Sequence, residues 1–343
     1  MKFNEVKNDK QLWDFMTDPS EGLMRSVAGL KGDIVILGGS GKMGKELTGL
    51  LRNADDQIGI NRRITVASTF SNPEDLDTFQ QLKVTCLKGD LSDEKFIRSL
   101  PGARLVIYML GFKFGSRTDW RKAFHLNSIV PYLIGNRYPD SRIVVFSSGN
   151  PYPHTSISAG GCKESDTLDP KGVYGWNIVA RESAFATTAM QHSGQKLCYF
   201  RLMYAQHLYY GVLVDLARMI WREEPVSLQM PAVNLVSQRD ANEIAIRSLE
   251  YCANSPWILN VAGPVTLVRE IATNLGNLLG KKPRFLDDET DMALLANDDL
   301  CLKTFGKYRD LSEEMMESAA WWVMNEQKTW NKPTYFGKVD HNY

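Results

Sequence analysis

Asp33-Ile34-Val35-Ile36-Leu37-Gly38-Gly39-Ser40-Gly41-Lys42-Met43-Gly44 is the stretch on which the fold turns. It opens on a short continuous apolar run, the mark of a strand buried on both faces. The run stops at glycines, and a helical pattern follows from Met43 to Leu51. Gly38, Gly41 and Gly44 make GxxGxxG directly between that strand and that helix. The first glycine permits the tight turn, the second lets a pyrophosphate approach the backbone, and the third lets helix pack on strand. The anion then sits at the helix N-terminus, where free N–H groups and the dipole favour it. Gly-rich strand–helix turns also occur for structural reasons alone. The parallel strands that follow favour dinucleotide binding over that reading.

Outward from this stretch, strand and helix alternate. Further strands read at 64–67, 84–87, 105–110, 142–146 and 197–201, with a helix over about 175–192 before the last. An amphipathic lead-in helix reads at 10–31. Strands separated by helices mean right-handed crossovers and an α/β, Rossmann-type doubly wound parallel sheet. After residue 205 the alternation weakens, and Pro225, Pro231, Pro256, Pro264 and Pro283 break the chain into short pieces. The expected organisation is a lead-in at 1–31 and a dinucleotide-binding domain at 32–205. A smaller, partly interleaved α+β substrate domain at 206–330 returns segments to the sheet, and a tail follows at 331–343.

Composition narrows the function. The chain has 343 residues, with 40 basic and 40 acidic side chains, so bulk electrostatics gives no hold on nucleic acid or an anionic membrane. No run approaches the roughly 18 apolar residues a bilayer crossing needs, and the charged N-terminus lacks a secretory core. A cytoplasmic protein is expected. The five scattered cysteines form no CxxC pair and lie beside no histidine at ligand spacing, which argues against zinc and against a disulfide framework. Redox chemistry would come from an organic cofactor.

The second strand ends Ala67-Ser68-Thr69-Phe70-Ser71, with no acid before Glu74 to bond an NAD ribose. Hydroxyls there tolerate a 2′-phosphate, and Lys42 either adds charge to it or is a solvated loop lysine. The reading leans slightly to NADP over NAD.

With these residues in hand, roughly 32–325 resembles the extended short-chain dehydrogenase/reductase superfamily, in its NAD-dependent epimerase/dehydratase branch. Gly38-x-x-Gly41-x-x-Gly44 matches the branch's glycine signature, and Gly89-Asp90-Leu91-Ser92-Asp93 looks like its GDLxD segment. His125-Leu126-Asn127 resembles the helix carrying a structural asparagine. Phe146-Ser147-Ser148-Gly149-Asn150 looks like the serine segment that supplies a catalytic hydroxyl. Tyr174-Gly175, with Glu182 eight residues beyond the tyrosine, resembles the YGxSKxxxE helix start. Asp240 and Leu259-Asn260-Val261-Ala262-Gly263 match later segments. The resemblance implies cofactor contacts from Gly38, Ser40, Gly41, Lys42, Met43, Gly44 and Ser68. It adds Asp90 and Leu91 near the adenine, and Leu110 and Gly111 near the nicotinamide ribose.

One departure outweighs these matches. The family's lysine, which binds the ribose and lowers the tyrosine's pKa, should fall at 178, where this chain has Ile178. An isolated tyrosine with pKa near 10 is only about 0.1% ionised at pH 7. Bringing it to about 7 takes roughly 4 kcal/mol of differential stabilisation, which a nearby cation can supply. Lys113, in the loop after the fourth strand, is the candidate replacement; its bland reading is an exposed loop lysine. Arg181 lies seven residues after Tyr174, two turns away on the same side, and is expected to be too distant. Ser148 is either the hydroxyl donor or a strand-end serine bonding the backbone. Asn150 and Tyr152 read as pocket-facing, Tyr204 and Gln238 as substrate contacts. His207 and Tyr209-Tyr210 stay ambiguous, and Trp321-Trp322 reads as a core or interface anchor.

The resemblance implies an NAD(P)-dependent enzyme acting on a sugar or sugar-derived hydroxyl by hydride transfer, with catalytic Tyr174, Ser148 and Lys113. The competing reading, raised by Ile178, is an NAD(P)-binding sensor or scaffold without hydride chemistry. The resemblance also implies a homodimer through the helices at about 117–137 and 174–192.

Overall fold

The computed structural model describes residues 1–332 and 334–337. Seven parallel strands form the central sheet: β1 (Ile34–Leu37), β2 (Ile64–Ser68), β3 (Thr85–Lys88), β4 (Leu105–Tyr108), β5 (Arg142–Ser148), β6 (Lys196–Leu202) and β7 (Trp257–Val261). Their order is β7-β6-β5-β4-β1-β2-β3. The chain builds outward from β1 to β3, then restarts on the other side of β1 with β4. That reversal opens a crevice at the carboxyl ends of β1 and β4, where doubly wound sheets hold ligands. β1 is buried throughout. Its residues alternate between two cores, Ile34 and Ile36 facing one and Val35 and Leu37 the other, as the two-residue period of a strand requires. The seventh strand comes from beyond residue 205, so the later chain does return to the sheet.

The lead-in is two helices, not one: α1 (Asp9–Met16) and α2 (Glu21–Gly29). Asp18-Pro19-Ser20 separates them, and Ser20 starts the second by accepting a hydrogen bond from the Leu23 amide. The glycine loop leads into α3 (Gly44–Gln57). The helical region expected at 117–137 is broken into α4 (Trp120–Phe124), a π turn (His125–Ile129) and α5 (Val130–Arg137). The long helix α6 (Gly172–Gln191) precedes β6. β4 stops two residues short of the expected end, freeing 109–114 as a crevice loop. β5 runs on to Ser148 and carries both serines to its tip.

A separate core gathers α7 (Val212–Trp221), α9 (Val268–Leu279) and α10 (Ser312–Met324), with α8 (Gln238–Arg247) packing instead on α3. Phe3, Leu12 and Phe15 from the start of the chain enter that core beside Met315, Ala319 and Trp322. There the Ser318 hydroxyl donates to the Phe3 carbonyl at 2.7 Å. Trp322 is fully buried, a core anchor. Among the described residues no helix is long and apolar enough to cross a membrane. The tail expected at 331–343 lies partly outside the described residues; what is described packs back on the molecule.

Candidate active-site crevice

The glycine loop has the shape its spacing predicts. Gly38 sits at φ 79°, and a Cβ there would lie 2.9 Å from the Leu110 amide nitrogen. A Cβ on Gly44 would collide with the Gly39 carbonyl. At Gly41 a Cβ would meet only the Gly38 oxygen, 3.2 Å away. So the outer two glycines serve the turn and the packing, and the middle one leaves backbone open to the crevice. No side chain caps α3, which keeps its first-turn N–H groups available to an anion.

On the β2 side, the Ser40 and Ser68 hydroxyls bond each other at 2.5 Å. Asp90, after β3, accepts from the Ser92 amide at 2.8 Å, and that bond holds its carboxyl below the usual range. Leu91 beside it is buried. The Lys42 ammonium lies 3.2 Å from the Tyr210 ring centroid and 5.1 Å from that of Phe114. Both rings belong to the β4 and β6 side of the crevice, so Lys42 is not the solvated loop lysine of its bland reading. Burial, with Lys332 second, pushes it down to about 8.

The last described segment closes this side. Trp330 lies nearly parallel to His207 at 5.6 Å, and its amide donates to the Tyr209 carbonyl at 2.9 Å. Thr334 gives both amide and hydroxyl to Asp215 at 2.7 Å each, and Tyr335 meets Phe114 at 5.9 Å.

At the tips of β4 and β5 a cavity of about 180 Å³ brings together Lys113, Ser148, Asn150, Tyr174 and Tyr204, against apolar Leu202, Met203 and Leu294. Ser148 donates to the Asn150 side chain at 2.9 Å and accepts from the Asn150 amide at 3.2 Å. The Lys113 ammonium is 5.5 Å from the centroid of the Tyr174 ring. Burial pushes Tyr174 up, against pulls from the Arg181 charge and a hydrogen bond with Ser148. Burial, then Lys42, pushes Lys113 down to about 7. Ile178 is fully buried where the family's ammonium would stand.

Two of the expected pocket residues lie elsewhere. Tyr152 does not face the pocket: it is buried, donating to Asn260 at 2.8 Å and accepting from Arg201 at 2.8 Å. Arg201 in turn pairs with Glu182 at 2.7 Å, and Glu182 also accepts from Ser147. Gln238 is buried at the start of α8 and does not line the cavity. The charge of Arg181 pulls on Tyr174. A helical side chain leans back toward the N-terminus, and its guanidinium reaches the Phe146 carbonyl at 2.7 Å. Sequence spacing alone misses that lean.

No family model and no curated protein matches the sequence. Solved structures do. A UDP-glucose 4-epimerase of Thermotoga maritima with UDP-glucose superimposes at TM-score 0.69 and 15% identity, over 86% of this chain and 100% of that one. MoeE5 in complex with UDP-glucose and NAD gives 0.67 and 17%, over 86% and 99%. A UDP-glucose 4-epimerase of Thermus thermophilus with NAD gives 0.66 and 17%, over 84% and 97%. The chain therefore shares the fold of these epimerase structures, a doubly wound parallel sheet with a smaller second core.

Proposed function

We propose that the chain is an NAD(P)-dependent oxidoreductase or epimerase-type enzyme acting on a sugar or sugar-derived hydroxyl. The observation that carries this is the meeting of Lys113, Ser148 and Tyr174 in one cavity, beside a glycine loop open at Gly41. When bound, the nicotinamide would accept or return the hydride. The loop amides and the α3 N-terminus would hold its phosphates, and Ser40 and Ser68 would meet the adenine ribose. NAD and NADP should be compared directly.

The protein's own part is to move a proton. Tyr174, with its pKa raised, keeps its proton at neutral pH. Lys113, at about 7, is neutral in about half the molecules at pH 7 and can accept one. The substrate hydroxyl would pass its proton to the Tyr174 oxygen while Tyr174 passes its own to Lys113, with Ser148 fixing the phenol. The small cavity supports one sugar ring as the reacting part. The aromatic and aliphatic exposure of Trp120, Phe124, Trp176 and Met190 supports a homodimer through α4 to α6, and we place the protein in the cytoplasm.

A sensor that binds the nucleotide without turning it over is favoured by one observation, the buried Ile178. Two measurements separate the readings. Calorimetry with NAD and NADP tests binding. A sugar panel followed by reduced-nicotinamide absorbance, and by NMR for epimerised product, tests turnover. Turnover abolished by Tyr174→Phe supports the enzyme, and binding with no product from any sugar supports the sensor.

A further inference from the structure

We infer that Arg181 is the positioning residue of this crevice: it sets a fixed positive charge beside Tyr174 and, through Asn127, holds the loop that brings Lys113 to the tyrosine. The inference rests on the reading of Tyr174 and Lys113 as the proton-handling pair.

Arg181 is only 3% exposed, and among the described residues no carboxylate lies within ion-pair distance of it. Arginine stays protonated in proteins, so its charge is retained without a neutralising partner. Its Nη1 donates to the Phe146 carbonyl at 2.7 Å, two residues before Ser148. Its Nη2 donates to Asn127 Oδ1 at 2.5 Å. Asn127 stands in the π turn, a one-residue widening that recurs at functional sites. Its amide clamps Phe112 from both sides, giving to the carbonyl at 2.8 Å and taking from the amide at 3.0 Å. Phe112 is the residue before Lys113.

The guanidinium also lies against the loop directly. A Cβ at Gly111 would be 3.0 Å from Nη2. One side chain thus ties the tip of β5, the π turn and the loop after β4. Among the described residues, the charge of Arg181 acts on Tyr174, and that of Lys42 on Lys113. Loosening the loop would let water reach Lys113 and relieve the burial that depresses it. Lysine at 181 would keep a charge but has no fork to span two acceptors.

The test reads Lys113 itself. Pulsed acetylation of the full chain across a pH series, quantified at Lys113 by mass spectrometry, gives the midpoint of its amine. In Arg181→Met and in Asn127→Ala the midpoint should rise by about one pH unit or more, and by less in Arg181→Lys. An unchanged midpoint in the folded variants overturns the inference, as does a rise in Arg181→Lys equal to that in Arg181→Met. If Arg181→Met does not fold, Arg181→Lys and Asn127→Ala decide, and no shift in both overturns it. Calorimetry of the unaltered protein runs alongside. No nucleotide binding there would sink the cofactor reading while the Lys113 midpoints still stand.

Discussion

The β1–β2 side of the crevice presents mostly main chain: an open loop at Gly41 and the uncapped start of α3. The β4–β5 side presents side chains borrowed from four places: Lys113 from a loop, Ser148 from a strand tip, Tyr174 and Arg181 from α6, and Asn127 from a π turn. A backbone site is specified where glycine is the only residue that fits. A side-chain site can be rebuilt from new positions when one member is lost, which is the role proposed for Lys113.

That contrast makes the first side the more brittle. Gly44→Val drives a branched side chain into the Gly39 carbonyl, so calorimetry should find nucleotide binding abolished and thermal unfolding should come several degrees earlier. Retention of binding would mean that the loop is not specified by its backbone. On the other side the buried support should matter next. Glu182→Gln leaves Arg201 buried without its counter-charge, and urea unfolding should lose about 3 kcal/mol. Tyr174→Phe should cost a hundredfold or so in kcat with KM and stability little changed. Lys42→Met is the smallest expected effect, and it probes a residue that reaches from the glycine loop to the rings of Tyr210 and Phe114. Its charge is the lesser cause of the depressed Lys113, so removing it raises that amine's pKa. With the neutral amine as the proposed acceptor, activity should rise with pH through about 7. The variant's rising limb should move upward by less than about one unit. A profile that stayed put would separate the two sides electrostatically.

The same contrast explains what could be read beforehand. The strand readings at 34–37, 64–67 and 142–146 find the central strands because a strand buried on both faces has little choice of residue. Lys113, Ser148, Asn150, Tyr174 and Tyr204 were each legible as candidates, and the structure brings them to one cavity. The π turn leaves no trace in hydrophobic period, since it adds one residue to one helical turn. Arg181 needed the backward lean of a helical side chain, and Tyr152 needed its buried partners Arg201 and Asn260, both distant in sequence. The seats of Trp330 and Thr334 rest on ring contacts and a few hydrogen bonds, which carry no periodic signal.

The burial of Phe3 and Phe15 against α10 sets an order of events during synthesis. Phe3 waits for a partner more than 300 positions later in the chain, as the contact from Ser318 shows. While β1 to β6 can assemble as they emerge, those two phenylalanines stay exposed to chaperones and proteases until α10 has been made.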